Sequence, residues 1–140
     1  MTAFDLERFV AAQDGIYPEA LAELRRGRKQ THWMWFVFPQ LVGLGRSGTA
    51  RFYGIASAAE ARAYLAHPVL GPRLRESARA ALSHKERSAE AIFGVVDAMK
   101  LGSSMTLFAA VADDPHPFAA VLEAFFGGER DPATLALLDG

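Results

Sequence analysis

Asp97 and Lys100 stand three residues apart in "DAMKLGSSMTLF" (Asp97 to Phe108), with Ser103 and Ser104 close behind. On a helix Asp97, Lys100, Leu101, Ser104 and Phe108 share one face, and an acid and a base at i, i+3 can meet. Val95, Val96, Met99, Met105 and Leu107 cover most of the remaining surface, a pattern that predicts a buried helix. A buried carboxylate and ammonium must be paired and hydrogen-bonded. Two readings stand. One is an acid–base or anion-holding pocket, with Asp97 as general base, Lys100 as anion holder and the Ser103 and Ser104 groups assisting. The other is an ion pair that locks two helices. Gly102 weakens such a helix, or ends it so that Ser103 or Ser104 caps a new one with free N–H groups.

"HWMWFVFPQ" (His32 to Gln40) is the second chemistry-bearing stretch. Trp33, Trp35, Phe36 and Phe38 offer large apolar burial, but consecutive aromatics from 35 to 38 cannot all face one core. A loop of Pro39, Gln40 and the glycines around Leu44 follows, then Arg46 and Ser47. Gln13, His32, Gln40 and Ser47 are polar groups set beside apolar surface. Aromatic walls with a few convergent amides and hydroxyls are the general form of a small-molecule site. The expected arrangement has core on one side of the element and pocket wall on the other, with the glycines as the lip. Gln13, His32, Gln40 and Asp97 are expected around one cavity, because each needs a polar partner.

Other chemistries find less footing. Arg25, Arg26, Arg28 and Lys29 precede two tryptophans, an arrangement compatible with a nucleic-acid surface. The net charge of −1 argues against that, and cations at a helix C-terminus fit its dipole, so these four are expected as a solvated helix end. His32, His67, His84 and His116 have no metal-ligand spacing, and Gly43-Leu44-Gly45 lacks the third glycine of a dinucleotide fingerprint. No metal and no cofactor is expected. The absence of cysteine fits a cytoplasmic protein. No apolar run near the start resembles a signal peptide, and none approaches the roughly 20 residues of a membrane span.

The elements that must position these residues are helical. Leu6, Phe9, Val10 and Gln13 fall on one stripe, with Thr2 or Asp5 as cap; Tyr17, Ala20, Leu21 and Leu24 make a second, stopped by Gly27. Ser57 with Glu60 reads as a capping box, Leu70, Leu74, Ser77 and Ala81 form another stripe, and Ser88 caps a short helix to Phe93. Asp113-Asp114-Pro115 ends the helix after Gly94, "HPFAAVLEAFFGG" is a helix closed by glycines, and Asp131-Pro132 opens a last turn or two. The 140 residues predict one all-α domain over 1–140, of about six or seven helices.

The chain also resembles a known family. "FVAAQ" (Phe9 to Gln13), "ALAEL" (Ala20 to Leu24), "HWMWFVFPQ", "GLGRS" (Gly43 to Ser47), "YLAHPVLGPRL" (Tyr64 to Leu74) and "DAMKLGSSMTLF" are similar to the bacterial domain of unknown function 1810, sometimes labelled calpastatin-like. The resemblance spans nearly the whole chain and implies an all-helical domain without an established activity. The chain carries no inhibitory repeat and no disordered composition to match the calpastatin label. A fainter similarity links Phe9–Gln13 to an aromatic-rich helix of the NAD/ADP-ribose-associated N-glycosidases, with Glu7 and Asp14 as the available acids.

From these residues the expected function is binding of a nucleotide- or ribose-phosphate-like molecule. Trp33 or Trp35 would stack on a ring, Gln13, His32 and Gln40 would orient the ligand, and Arg46 and Lys100 would hold an anion. Amides near Ser47 or Ser103 would assist, and any chemistry would be hydrolysis of an N-glycosidic bond. The alternative is a non-catalytic interaction module that docks a partner through the aromatic His32–Gln40 segment.

Overall fold

The structure, a computed structural model, describes residues 4–139. Among them the chain forms ten helices: α1 (Glu7–Gln13), α2 (Tyr17–Arg26), α3 (Met34–Val37), α4 (Gly48–Phe52), α5 (Ala58–Ala66), α6 (Leu70–Leu82), α7 (Ala89–Phe93), α8 (Val95–Val111), α9 (Phe118–Phe126) and α10 (Pro132–Asp139). The mostly helical class agrees with the sequence, whereas the count exceeds six or seven. Helices as short as α3 and α4 span little more than one turn, so no 3.6-residue repeat exists to be read. The only pairing of strand type among the described residues is an isolated parallel bridge between Leu41 and Ile55.

α8 is the spine of the packing. It contacts α5, α7, α9 and α10, while α6 closes the other side against α2, α5 and α9. The second stripe is buried as expected at Tyr17, Ala20, Leu21 and Leu24, and so is the stripe of Leu70, Leu74, Ser77 and Ala81. Aromatic rings tie the layers together. Phe9 meets Tyr64 edge-on at 5.1 Å, Tyr64 lies 5.5 Å from Phe108, and Phe108 lies 5.8 Å from Phe118. Trp33 and Phe38 are both buried, their centroids 6.3 Å apart, so this part of the aromatic stretch is core.

Capping follows the sequence in part. The hydroxyls of Ser57 and Ser88 accept from the amides of Glu60 and Ala91. Glu60 does not complete a capping box. Its carboxylate accepts from the Ala56 amide at 2.7 Å and pairs with Arg8 at 3.0 Å, fastening α5 to α1 instead. α1 starts after Leu6 with no side-chain cap, so Asp5 does not serve as one; Thr2 lies outside the described residues. α8 runs unbroken through Gly102, where a side chain would crowd the ring of Phe126 on α9. Ser103 and Ser104 therefore cap nothing.

One polar group inside this framework has no signature in the sequence. Glu23, on the buried side of α2, is 3% exposed. Its carboxylate accepts from the Gln30 amide at 2.7 Å, the Thr31 amide at 3.0 Å, the Thr31 hydroxyl at 2.6 Å and the Trp33 indole N–H at 2.9 Å. Burial raises its pKa, but the Thr31 hydroxyl, the two amides and the indole outweigh it and bring the group down from 4.5 to about 2. The folded value lies below the unfolded one, so the ionised carboxylate stabilises the fold fully above about pH 4.5, and this contribution is lost as pH falls toward 2. We expect Glu23→Gln to cost roughly 3 kcal/mol at neutral pH. Denaturant melts should show the difference from wild type shrinking steadily below pH 4.5. A constant difference down to pH 2 would contradict the assignment.

Candidate functional site

The Glu23 carboxylate fixes the segment between α2 and α3, and that segment carries Lys29. The Lys29 amide donates to Ile92 O at 2.8 Å, which holds the segment against the end of α7. Its ammonium, with the side chain only 6% exposed, donates to Thr31 O at 2.6 Å and pairs with Asp97 at 2.8 Å. It also lies 5.0 Å from the centroid of the Trp33 ring. The basic run is thus not a uniform solvated helix end. Arg25, Arg26 and Arg28 are exposed, whereas Lys29 turns inward to the carboxylate at the start of α8.

Asp97 is shared by two cations. One oxygen faces Lys29 and the other accepts from Lys100 at 3.2 Å. Burial raises the Asp97 pKa, but the hydrogen bond and charge of Lys29, then those of Lys100, outweigh it and hold the carboxyl below its ordinary value. A carboxylate held ionised by two ammonium groups is a weak proton acceptor. Its geometry fits the locking ion pair better than a general base. Lys100 sits 3.9 Å from the centroid of Trp35, so the ladder runs Trp33, Lys29, Asp97, Lys100, Trp35.

The burial expected for all of α8 holds only after its first turns. Leu101 through Ala109 are buried apart from the half-buried Ser103, but Val95, Val96 and Met99 are 68%, 65% and 70% exposed. In these first turns Ala98 is buried while the face of Val95, Val96 and Met99 is open.

A groove of about 320 Å³ opens beside this end. Trp35, Leu44, Val96 and Met99 supply apolar walls; Gln40, Lys100, Ser103 and Asp131 supply polar groups. Gly45 forms part of the lip, and a side chain there would strike Ala50, which sits against it. Asp131 caps α10. One oxygen accepts from the hydroxyls of Ser103 at 2.9 Å and Thr134 at 2.6 Å and from the Thr134 amide at 3.3 Å. Its backbone N–H donates to the Thr106 hydroxyl at 2.9 Å. The second carboxylate oxygen of Asp131 and the Gln40 side-chain amide make no hydrogen bond among the described residues. Past Met99, Ser103 and Asp131 lies a further hollow of about 410 Å³, flanked by Phe126, Glu129 and Arg130.

The structure therefore gathers Trp35, Gln40, Lys100 and Ser103 in one groove, with Asp97 behind Lys100. The other expected site residues lie elsewhere. Gln13 is buried between α1, α3 and α6, its amide bonded to Phe36 O at 2.7 Å. Trp33 is wholly buried, so no ligand reaches its ring. His32 and Arg46 are exposed and outside the groove, and Ser47 caps α4 by accepting from the Ala50 amide at 3.0 Å. Ser104 is buried, with no partner for its hydroxyl among the described residues. A single cavity for all these polar groups does not form: Gln13 is satisfied within the core, Ser47 caps α4, and His32 and Arg46 face solvent. Sequence reasoning misses Asp131 as a site residue. Its signal, Asp before a proline, reads as a helix start, which it also is.

A mostly helical unit with an open, apolar-walled groove beside the first turns of its central helix is the class that fold and site define. The profile of the family described as Protein of unknown function (DUF1810) matches residues 3–138, and the chain belongs to that family. The crystal structure of the conserved hypothetical protein Rv1873 from Mycobacterium tuberculosis is similar throughout. Its TM-score is 0.96 at 53% sequence identity, covering 98% of each chain. No curated protein matches.

The Lys29–Asp97 ion pair can be tested by its energetics. Asp97→Ala strands the inward Lys29 ammonium and should cost about 2–3 kcal/mol in urea melts, somewhat below the range for fully buried pairs. Lys29→Met should cost a similar amount, and the double variant much less than the sum. Additive losses would show that the two groups do not interact.

Proposed function

We propose that the groove between Trp35, Gln40, Met99 and Asp131 binds a small nucleotide- or ribose-phosphate-like molecule. The observation that carries this reading is the convergence of three groups of different chemistry on one apolar-walled hollow. They are Lys100, Gln40 and Asp131, which all line it, one Asp131 oxygen making no hydrogen bond among the described residues. An ammonium suits a phosphate, and a carboxylate and an amide suit ribose hydroxyls. Val96, Met99 and the edge of Trp35 suit the flat body of a base, since exposed apolar side chains gain by being covered. For a reaction at this site, hydrolysis of an N-glycosidic bond is the one to assay. Asp131, rather than Asp97, is the carboxylate that opens on the groove and would take the proton from water.

The second reading is an interaction module, favoured by the exposure of three large apolar side chains, Val95, Val96 and Met99, within one stretch of α8.

A thermal-shift screen with nucleotides, ribosides and sugar phosphates separates the two. A ligand at a hundredfold its Kd adds about 2.7 kcal/mol, a Tm rise of roughly 10 °C. Gln40→Ala and Lys100→Met should each remove the rise, while Gln13→Ala, outside the groove, should keep it. Chromatography of the same mixtures would report any free base. No shift with any of these compounds would end the small-ligand reading and leave the docking patch.

A further inference from the structure

A third hollow, of about 510 Å³, lies on another part of the surface, between α1, the start of α2 and α6. It shares no residue with the groove, so a ligand there is independent of the function proposed for the groove. We propose that this hollow binds a small zwitterion, an α-amino acid with an apolar side chain.

Arg73 is the centre of this site. Its guanidinium lies 4.8 Å from the Tyr17 ring centroid and donates to the side-chain carbonyl oxygen of Gln13 at 3.2 Å. No carboxylate among the described residues lies within ion-pair distance of it. Glu76, three residues on, is taken instead by the Tyr17 hydroxyl at 2.6 Å and by Arg25 at 3.6 Å. Most of the five guanidinium N–H donors therefore remain available to a ligand.

The support behind Arg73 is over-built for a solvated arginine. Gln13 is 1% exposed, and its NH2 donates to Phe36 O at 2.7 Å and to the Tyr64 hydroxyl at 3.3 Å. Both donors of that amide are committed to the core, so its carbonyl can only face Arg73. The guanidinium is thus held in one place by a buried amide and an aromatic face, the preorganisation that bidentate recognition of a carboxylate uses.

The rest of the lining selects the ligand class. Glu7 and Asp14 also line the hollow, and neither forms an ion pair among the described residues. Two acids oppose a phosphate dianion, and Arg73 opposes a simple amine. A molecule carrying a carboxylate and an ammonium a few ångströms apart satisfies both signs at once. Val10, Ala11, Pro18 and Val69 form the remaining wall, which suits an aliphatic side chain rather than a polar one.

The test is isothermal titration calorimetry on the full chain with three compounds. They are L-leucine, 4-methylpentanoate, which lacks the ammonium, and 3-methylbutylamine, which lacks the carboxylate. Leucine should bind, with each truncated compound at least about tenfold weaker. Arg73→Gln should abolish leucine binding. Asp14→Asn, at a side chain with no hydrogen bond or ion pair among the described residues, should weaken it about tenfold. Lys100→Met, in the groove, should leave it unchanged. If Arg73→Gln fails to fold by circular dichroism, Asp14→Asn decides. No heat with leucine at millimolar concentration, or 4-methylpentanoate binding as tightly as leucine, would overturn the proposal.

Discussion

A carboxylate that takes four donors and, among the described residues, no cation organises this molecule. Glu23 sits inside α2, and its oxygens are met by groups that arrive seven to ten residues later in the chain. An ionised carboxylate loses its hydration on burial, a cost that only several good hydrogen bonds offset. The backbone of Gln30 and Thr31 must therefore turn back toward α2, and the indole of Trp33 must enter edge-first. Trp33 then fills the core beside Phe38, and α3 starts where it does because its preceding residue is pinned.

The consequences reach the groove through a short chain of contacts. With Thr31 fixed, its carbonyl and Asp97 together receive the Lys29 ammonium. Asp97 in turn holds Lys100 over Trp35, and both line the groove. From the other side, Thr106 on the buried part of α8 receives the Asp131 amide, and Ser103 donates to its carboxylate. The two walls of the groove are thus set by hydrogen bonds to α8, one near its exposed end and one in its middle. The exposed Val95, Val96 and Met99 lie on the face of the first turns that the neighbouring elements leave open, opposite the buried Ala98.

Much of the scaffold is legible in the sequence because it follows local rules. Tyr17 to Leu24 and Leu70 to Ala81 show a helical period over two or more turns, and Ser57 and Ser88 cap by reaching amides three residues away. Gln40, Lys100 and Ser103 can be picked out because polar groups in apolar surroundings need partners, and Trp35 because consecutive aromatics cannot all face one core. The same reasoning puts Gln13 in the wrong place. Its partners, Phe36 O, Tyr64 and Arg73, come from three distant segments whose meeting no local pattern announces. Glu23 hides for the opposite reason. Beside Arg25 and Arg26 at a helix end it looks like an ordinary surface acid, and its donors are two backbone amides, a hydroxyl and an indole. Lys29 is indistinguishable from the exposed arginines in sequence, because a charge run carries no sign of which member turns inward. Asp131 performs a local task, capping α10, that masks its second, open oxygen.

Native-state hydrogen exchange followed by NMR tests most directly whether Glu23 makes the Gln30–Trp33 segment part of the core rather than a surface loop, since exchange reports the opening of individual groups. The Gln30 and Thr31 amides and the Trp33 indole N–H should exchange about as slowly as the buried amides of α8. All three should speed up together in Glu23→Gln. Fast exchange of these groups in the wild-type protein, at the rate of an open loop, would contradict the account.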